Sequence, residues 1–565
     1  LAAGALALLL LGGGVALSGF SGQGEPGAPA GSAGPQALAQ TLSAFPREQV
    51  LDVAVDMTAT DLEQMLANGA QEQEYRASVT WGGQALSNVS IRTKGNSSLR
   101  SVAGSDSKRF SFKLDLNQFV DWQSLNGIGT INLNNNFSDP TYMREYLSYE
   151  AMESLGIPTP ERTWVRLSLN GEPWGLYLAV EQVGTPFLER HFGESTGDLY
   201  KPASQAGQGA DLKWYGDAYA NSPGIVYKGK GQTDHQPLLD LLDALNNNGG
   251  DLETVLDIDS VLKYMAACTV MVSTDSYMGQ FAHNYYLYEQ NGRFSVIPWD
   301  FNMSFGGMGG GTELKIDSPT TVALSERPLV GKLLEVPEYK ERYHGYIAEL
   351  IEGYLEPERF EARAREVMAL IDPYVKEDPT KFFTYEQFQN SLDQAATSGT
   401  QGTQQDVPAP GGGAAAQAQA QGQGRGRGGL GFGGSSMGLI TFQRARVTNL
   451  QQQLNGTIPT TGGETVSTGN FAQGGRPAPG GNFPPGGRNV PGGNFPPGGN
   501  VPPGGGPPQG GGFPQGGMRG EQPPTLEPAA GELSQATRVD LWPIGVAAAL
   551  LLAGTFLVWR LRPRI

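Results

Sequence analysis

The chain has 565 residues and a formal net charge of −17, with one cysteine, four histidines, 81 glycines and 39 prolines. The acidic balance argues against nucleic acid as a partner, because binding it needs a basic stripe that neutralises phosphates. A single cysteine, Cys268, excludes an internal disulfide framework and any multi-cysteine metal centre, and four histidines leave little for a His-rich one.

The first stretch, 1–22, is apolar and then rich in small residues, which predicts a signal peptide or an N-terminal anchor. A Gly/Pro/Ala/Gln linker is expected over 23–44, and order is expected to begin near Phe45. Gln49 to Met57 alternates as a strand does, and Thr60 opens a short helix. Tyr75 to Trp81 and Leu86 to Thr93 read as strands joined at Gly82-Gly83. The run Lys94-Gly95-Asn96-Ser97-Ser98 is then a loop of glycine and small hydroxyl residues. Backbone N–H groups of such a loop can cradle phosphates. In the strand that follows, Phe110, Phe112, Leu114 and Leu116 share one face, while Ser111, Lys113 and Asp115 share the other. Lys113 is therefore placed to reach phosphates held by Gly95, Asn96 and Ser97.

Asp139-Pro140 predicts a helix start, and Gly156 with Pro158 its stop. Met143, Leu147, Ala151 and Leu155 form its apolar side. Glu150 flanks that stripe and is the expected carboxylate partner of Lys113, whereas Glu145 is expected to point away. Thr163 to Leu169 and Gly175 to Val183 form a hairpin around Asn170-Gly171, with an extended exit at Glu181 to Gly184. Helices follow from Phe187, over Leu238 to Asn246, and over Asp259 to Ser273.

The stretch Val272 to Gly307 places Asp275, Asn284 and Asp300 around one hairpin. Tyr285 to Tyr288 and Phe294 to Ile297 are its strands, and Asn291-Gly292 is its turn. Asn284 starts the first strand and Asp300 closely follows the second, so the two lie near each other. That pair can hold a divalent cation and leaves Asp275 as a base. His283 reads as a structural hydrogen-bonder and Trp299 as core.

Helices are expected over Leu329 to Leu334, Pro337 to Leu355, Pro357 to Tyr374 and Phe383 to Asp393, and again over Leu439 to Leu454. Between the last two lies a Gln/Gly/Ala-rich insertion, 395–434, read as disordered. The folded domain is thus expected to span 45–458. A Pro/Gly-rich linker follows over 459–540, with GGNFPPGG at Gly480 and again at Gly492. Residues 541–559 are uncharged and long enough to cross about 30 Å of hydrocarbon, predicting a transmembrane helix. Arg560, Arg562 and Arg564 in the tail 560–565 then face the cytoplasm, which puts the main domain outside the membrane.

The order of parts is that of a protein-kinase core: small-residue loop, strand lysine, helix glutamate, extended linker, Asp, Asn, hairpin, Asp. The predicted class is α+β, an atypical protein-kinase-like two-lobed domain with a flexible tether and a C-terminal transmembrane helix. The segments KGNSS, REYLSYEAMESLGIPTP, LNGEPWGLYLAVEQV, GDLYKP, HNYYLY and IPWDFNMSFG together resemble the CotH kinase family, the spore-coat-protein-H-type atypical kinases. The resemblance implies a surface-located enzyme transferring the γ-phosphate of ATP, with Mg²⁺, to Ser/Thr of envelope or coat proteins. By matching position it makes Asp275 the catalytic aspartate, Asp300 and Asn284 the metal ligands, and Lys113 the phosphate-contacting lysine. Gly95, Asn96, Ser97, Glu150 and Val183 complete the expected nucleotide site. The sequence departs from ordinary kinases in four places: no His-Arg precedes Asp275, the spacing from Asp275 to Asn284 is longer than usual, Phe-Asn follows Asp300, and the phosphate loop has one glycine. Counting alone would put Gln280 at the Asn place, but Asn284 is preferred because it immediately precedes its strand. Two alternatives stay open, adenylylation by the same fold and a kinase-like envelope protein that binds without turnover.

Overall fold

The computed structural model describes residues 44–203, 210–247, 250–395 and 437–462. The expected leader (1–22), transmembrane helix (541–559), basic tail (560–565) and almost all of the linker (23–44), insertion (395–434) and tether (459–540) lie outside the described residues. Among the described residues no helix is long and apolar enough to cross a membrane.

The N-terminal half is sheet-rich. Its elements are β1 (Val50–Asp56), α1 (Ala59–Ala67), β2 (Tyr75–Trp81), β3 (Gln84–Lys94), α2 (Ser97–Ala103), β4 (Ser111–Asp115), β5 (Thr130–Asn134), α3 (Arg144–Ser154), β6 (Arg162–Leu169) and β7 (Glu172–Glu181). The strands close into a barrel in the order β1-β2-β3-β4-β5-β7-β6, antiparallel except where β1 meets β6. Period-two patterning explains the closure. Val53, Val79, Ile91, Phe112, Leu114, Ile131, Leu133, Leu167 and Ala179 point inward and form one core cluster. The opposite side of three neighbouring strands, β3, β4 and β5, carries a polar row that ends at Val180 on β7, since residues in register share a face. Arg92 pairs with Lys113, Lys113 with Asn132, and Asn132 with Val180. Lys94 and Asn134 stand one step along on that same outer side.

The C-terminal half contains α4 (Thr185–Phe192), β8 (Leu199–Pro202), β9 (Ile225–Tyr227), α5 (Gln236–Asn247), α6 (Leu252–Val255), α7 (Ile258–Val270), β10 (Tyr285–Gln290), β11 (Arg293–Pro298), α8 (Pro328–Glu335), α9 (Pro337–Glu352), α10 (Pro357–Glu377), α11 (Tyr385–Asn390) and α12 (Leu439–Leu454). A small antiparallel sheet has the order β11-β10-β8-β9. Helix α7 is buried almost all round, and α9 and β11 pack on it. It is the centre of the larger core cluster, which also takes in Trp164, Leu176, Leu178 and Val180 from the outer side of the barrel. The chain crosses from barrel to helices at Glu181 to Gly184. There Glu181 is ion-paired with Arg190, and the Gln182 side chain donates to the Tyr286 hydroxyl at 2.7 Å.

Several elements differ from the sequence reading. β5, β8 and β9 are short strands that the patterning did not reveal. Residues 97–103 form a helix where a loop was expected. The helix expected from Asp139 begins at Arg144 instead. The Asp139 carboxylate accepts from the backbone N–H groups of Thr141 and Arg144, both at 2.9 Å, and so holds a preceding turn.

Candidate functional site

The hairpin β10–β11 brings Asp275, Asn284 and Asp300 into one place, with the segment before β10 folded back on itself. Gly279 permits that fold: a Cβ there would lie 1.6 Å from the Thr274 carbonyl oxygen. Asn284 donates its side-chain N–H to the Asp275 carbonyl at 2.8 Å and to Asp275 Oδ2 at 3.2 Å. His283 Nε2 is hydrogen-bonded to Asp275 Oδ1. Burial alone would lower the His283 pKa, but the bond to Asp275 together with the charges of Asp275 and Asp300 raises it. Val272, Ala282, Asn284, Asp300 and Phe305 all have positive φ, with Val272 at 49° and Asp300 at 59°. For a β-branched residue this is a true outlier, and such strain gathers where surrounding structure fixes functional groups.

Asp300 faces the barrel. Its backbone N–H donates to the Tyr149 hydroxyl at 3.1 Å, and that hydroxyl donates to Glu145 Oε1 at 3.3 Å. Glu145 and Tyr149 are four apart on α3 and therefore share a face. Glu145 Oε2 accepts from Asn134 Nδ2 at 2.8 Å, and Asn134 Oδ1 accepts from Lys94 Nζ at 2.8 Å. Burial, reinforced by the Asp300 charge, raises Glu145 to about 7. Burial lowers Lys94, against the pull of Asp300 and Glu145. Asp300 is itself raised by burial and by Asp275, with Lys94 and Lys201 opposing.

Two sequence assignments are corrected here. The lysine joined to the α3 glutamate is Lys94, at the end of β3, and not Lys113. The glutamate is Glu145, buried to 4% exposure, and not Glu150. Glu150 points the other way, bonding Arg363 at 2.7 Å and the Tyr354 hydroxyl at 2.5 Å. Lys113 lies in the same outer row, in register with Arg92 and Asn132. Gly95 has φ 126° and turns the chain sharply from Lys94 into α2. Asn96 accepts from Arg100 on the first turns of that helix, and Ser97 is exposed. Val183 is buried, with its side chain in the larger core beside the barrel exit.

Sequence reasoning gave no role to Lys201. It lies on β8 beside β10, with its ammonium 4.9 Å from the ring centroids of both Tyr286 and Trp299. Burial lowers it to about 8, partly offset by Asp300. The signal was present in GDLYKP, a lysine inside an otherwise apolar strand.

Among the described residues no three His, Cys, Asp or Glu side chains gather to hold a metal on their own. The donors that are present suit a shared hard cation. The Asp300 carboxylate is half-buried and enters no hydrogen bond or ion pair among the described residues, and Asn284 spends its amide N–H groups on Asp275, leaving its oxygen. Magnesium is commonly bound by one or two carboxylates together with phosphates and waters.

A family model described as CotH kinase protein matches residues 91–399. The inner spore coat protein H of Bacillus subtilis (strain 168) is 25% identical over 299 residues, covering 51% of this chain and 79% of that protein. The inner spore coat protein H-like protein of the same organism is 35% identical over 86 residues, covering 15% of this chain and 28% of that protein. The family match contains Lys94, Glu145, Lys201, Asp275, Asn284 and Asp300.

Proposed function

Since the chain belongs to the CotH kinase protein family, we propose that its cleft transfers the γ-phosphate of ATP to Ser or Thr hydroxyls of proteins. The observation that carries this reading is one convergence. Asp275 and Asp300, from the two sides of one hairpin, meet a lysine–asparagine–glutamate chain from the barrel. In this reading the barrel and the helical half are the two lobes of a kinase, and the crossing at Glu181 to Gly184 is their linker.

In this reading the acceptor hydroxyl oxygen bonds to the γ-phosphorus, and the bond from that phosphorus to the β–γ bridging oxygen breaks. ADP leaves, and the hydroxyl proton passes to the Asp275 carboxylate. His283 and Asn284 hold that carboxylate in a fixed orientation. Asp300 and the Asn284 oxygen would hold Mg²⁺, which supplies charge neutralisation at the phosphates. Lys94 reaches the phosphates while Glu145, through Asn134, fixes its direction. The uncharged run 541–559 followed by three arginines supports a membrane-tethered enzyme acting outside the membrane on envelope proteins.

The full-length chain is incubated with Mg²⁺ and ATP labelled at the γ- or the α-phosphate. Label transferred to protein from the γ-position supports the proposal. Transfer from the α-position alone means adenylylation, and binding of ATP without transfer means a non-catalytic module. Either result overturns the kinase reading.

A further inference from the structure

We propose that Lys201 is a second phosphate-contacting cation of this cleft, standing opposite Lys94 and held in place by Tyr286 and Trp299. The inference rests on the phosphotransfer reading and adds a residue to it. Its ammonium lies 4.9 Å from each of two aromatic centroids, a double cation–π contact that fixes where the charge sits. The position is set by the sheet, because β8 and β10 are paired antiparallel at Leu287–Tyr200 and Tyr288–Leu199. Lys201 therefore comes level with Tyr286 on one face.

What the rings cannot supply is hydrogen-bond acceptors for three N–H donors. Among the described residues Lys201 makes no hydrogen bond or ion pair. Other lysines of the fold do find carboxylates: Lys213 with Glu326, Lys263 with Asp259, Lys340 with Asp317. Lys201 has Asp300 within electrostatic range and still forms no pair with it. Burying a charge without a partner is costly, so the site is built for an anion that arrives later. Lys94, Lys113 and Lys228 all feel the Lys201 charge. Lys94 and Lys201 both act on Asp300, and two cations so placed suit the polyphosphate of a nucleotide.

The test compares ATP, inorganic tripolyphosphate and adenosine as ligands of the full-length protein, each with Mg²⁺. Lys201→Met is expected to weaken ATP and tripolyphosphate by roughly ten- to a hundredfold, the range for hydrogen bonds to charged groups, and to leave adenosine unchanged. Lys201→Arg should recover most of the loss. Trp299→Leu keeps the charge but frees it, and should weaken ATP severalfold. A measurement on the unsubstituted protein avoids any folding defect: acylation of Lys201 by an N-hydroxysuccinimide ester, read by peptide mapping, should be blocked by ATP or tripolyphosphate and not by adenosine. Equal acylation with and without ATP, or equal loss of ATP and adenosine in Lys201→Met, overturns the inference. If Lys94→Met loses ATP while Lys201→Met does not, this inference alone fails. If the unsubstituted protein binds neither ATP nor tripolyphosphate, the phosphotransfer reading fails and takes this one with it.

Discussion

Lys94 and Glu145 are joined through a third side chain, with Asn134 accepting from Lys94 Nζ at 2.8 Å and donating to Glu145 Oε2 at 2.8 Å. An amide bridge of this kind transmits orientation but leaves the lysine its positive charge for a ligand. It separates two lysines that stand on the same barrel face. Lys94→Met is therefore expected to lower kcat/KM by more than about a hundredfold, the scale of losing a positioned charge-stabilising group. Lys113→Met should lower it by less than about tenfold. Phosphotransfer assays of the two variants decide; the reverse ranking would return the role to Lys113.

Glu145 gives a pH-dependent prediction. Its folded pKa of about 7 lies above the ordinary carboxylate range because the group is buried and near Asp300. The folded state thus binds the proton more tightly than the unfolded state does. Stability contributed by this group is present below the unfolded value, near 4.3, and is lost as pH rises to about 7. Glu145→Gln removes that loss. It should stabilise the free protein at pH 8 by up to about 3 kcal/mol and leave stability at pH 4 nearly unchanged, while lowering activity. Urea denaturation at the two pH values measures it, and equal differences at both would refute the assignment of the shift.

The amount of this that could be read from the residues varies by element for physical reasons. Asp275, Asn284 and Asp300 were placed together because a two-residue Asn-Gly turn fixes the register of β10 and β11, so chain distance becomes spatial distance. Leu439–Leu454 was legible to the residue because its stripe faces a core. The lysine–glutamate partner was misread because α3 is buried on nearly every side. The stripe of Met143, Leu147 and Ala151 could not tell which glutamate faces the site, because the polar residues beside it, Glu145 and Ser148 among them, are buried too. β5 escaped notice because its outward residues are Asn132 and Asn134, which depress strand propensity. β8 and β9 are only four and three residues long, too short for periodicity to mark.

Arg109 and Asp378 form an ion pair with both side chains fully buried, at 2.9 Å, linking the barrel to the end of α10. Arg109 also faces the Tyr177 ring, and Asp378 accepts from the Leu176 backbone N–H at 2.9 Å. Removing one partner strands a buried charge. Asp378→Ala should cost about 3–5 kcal/mol, and Arg109→Met a similar amount. The double replacement should cost clearly less than the sum of the two, since neither charge is then left alone. Denaturant titration of the three variants tests this, and strict additivity would show that the pair is not coupled.

Arg327, just before α8, holds the segment between Asp275 and Asn284 from outside the cleft. Its guanidinium is buried and donates to the Tyr277 carbonyl at 2.8 Å, to Gln280 at 2.9 Å and to Gly279. Three carbonyls of this one loop face one rigid fork of donors, which no single backbone group replaces. The strained φ values of Ala282 and Asn284 lie just beyond, so the fork also opposes relaxation of that strain. Arg327→Met leaves the Tyr277 and Gln280 carbonyls without donors, at about 1–3 kcal/mol for each that water does not reach, while Gly279 keeps the Ala282 N–H. The expected result is faster amide exchange confined to residues 276–284, a kcat lowered by about tenfold or more, and a KM for ATP changed much less, because Lys94 and Asp300 remain in place. Arg327→Lys should recover part of the protection, since it supplies charge and donors without the planar fork. Unchanged exchange in that segment, or a loss seen equally in KM and kcat, would mean that the loop holds its shape without Arg327.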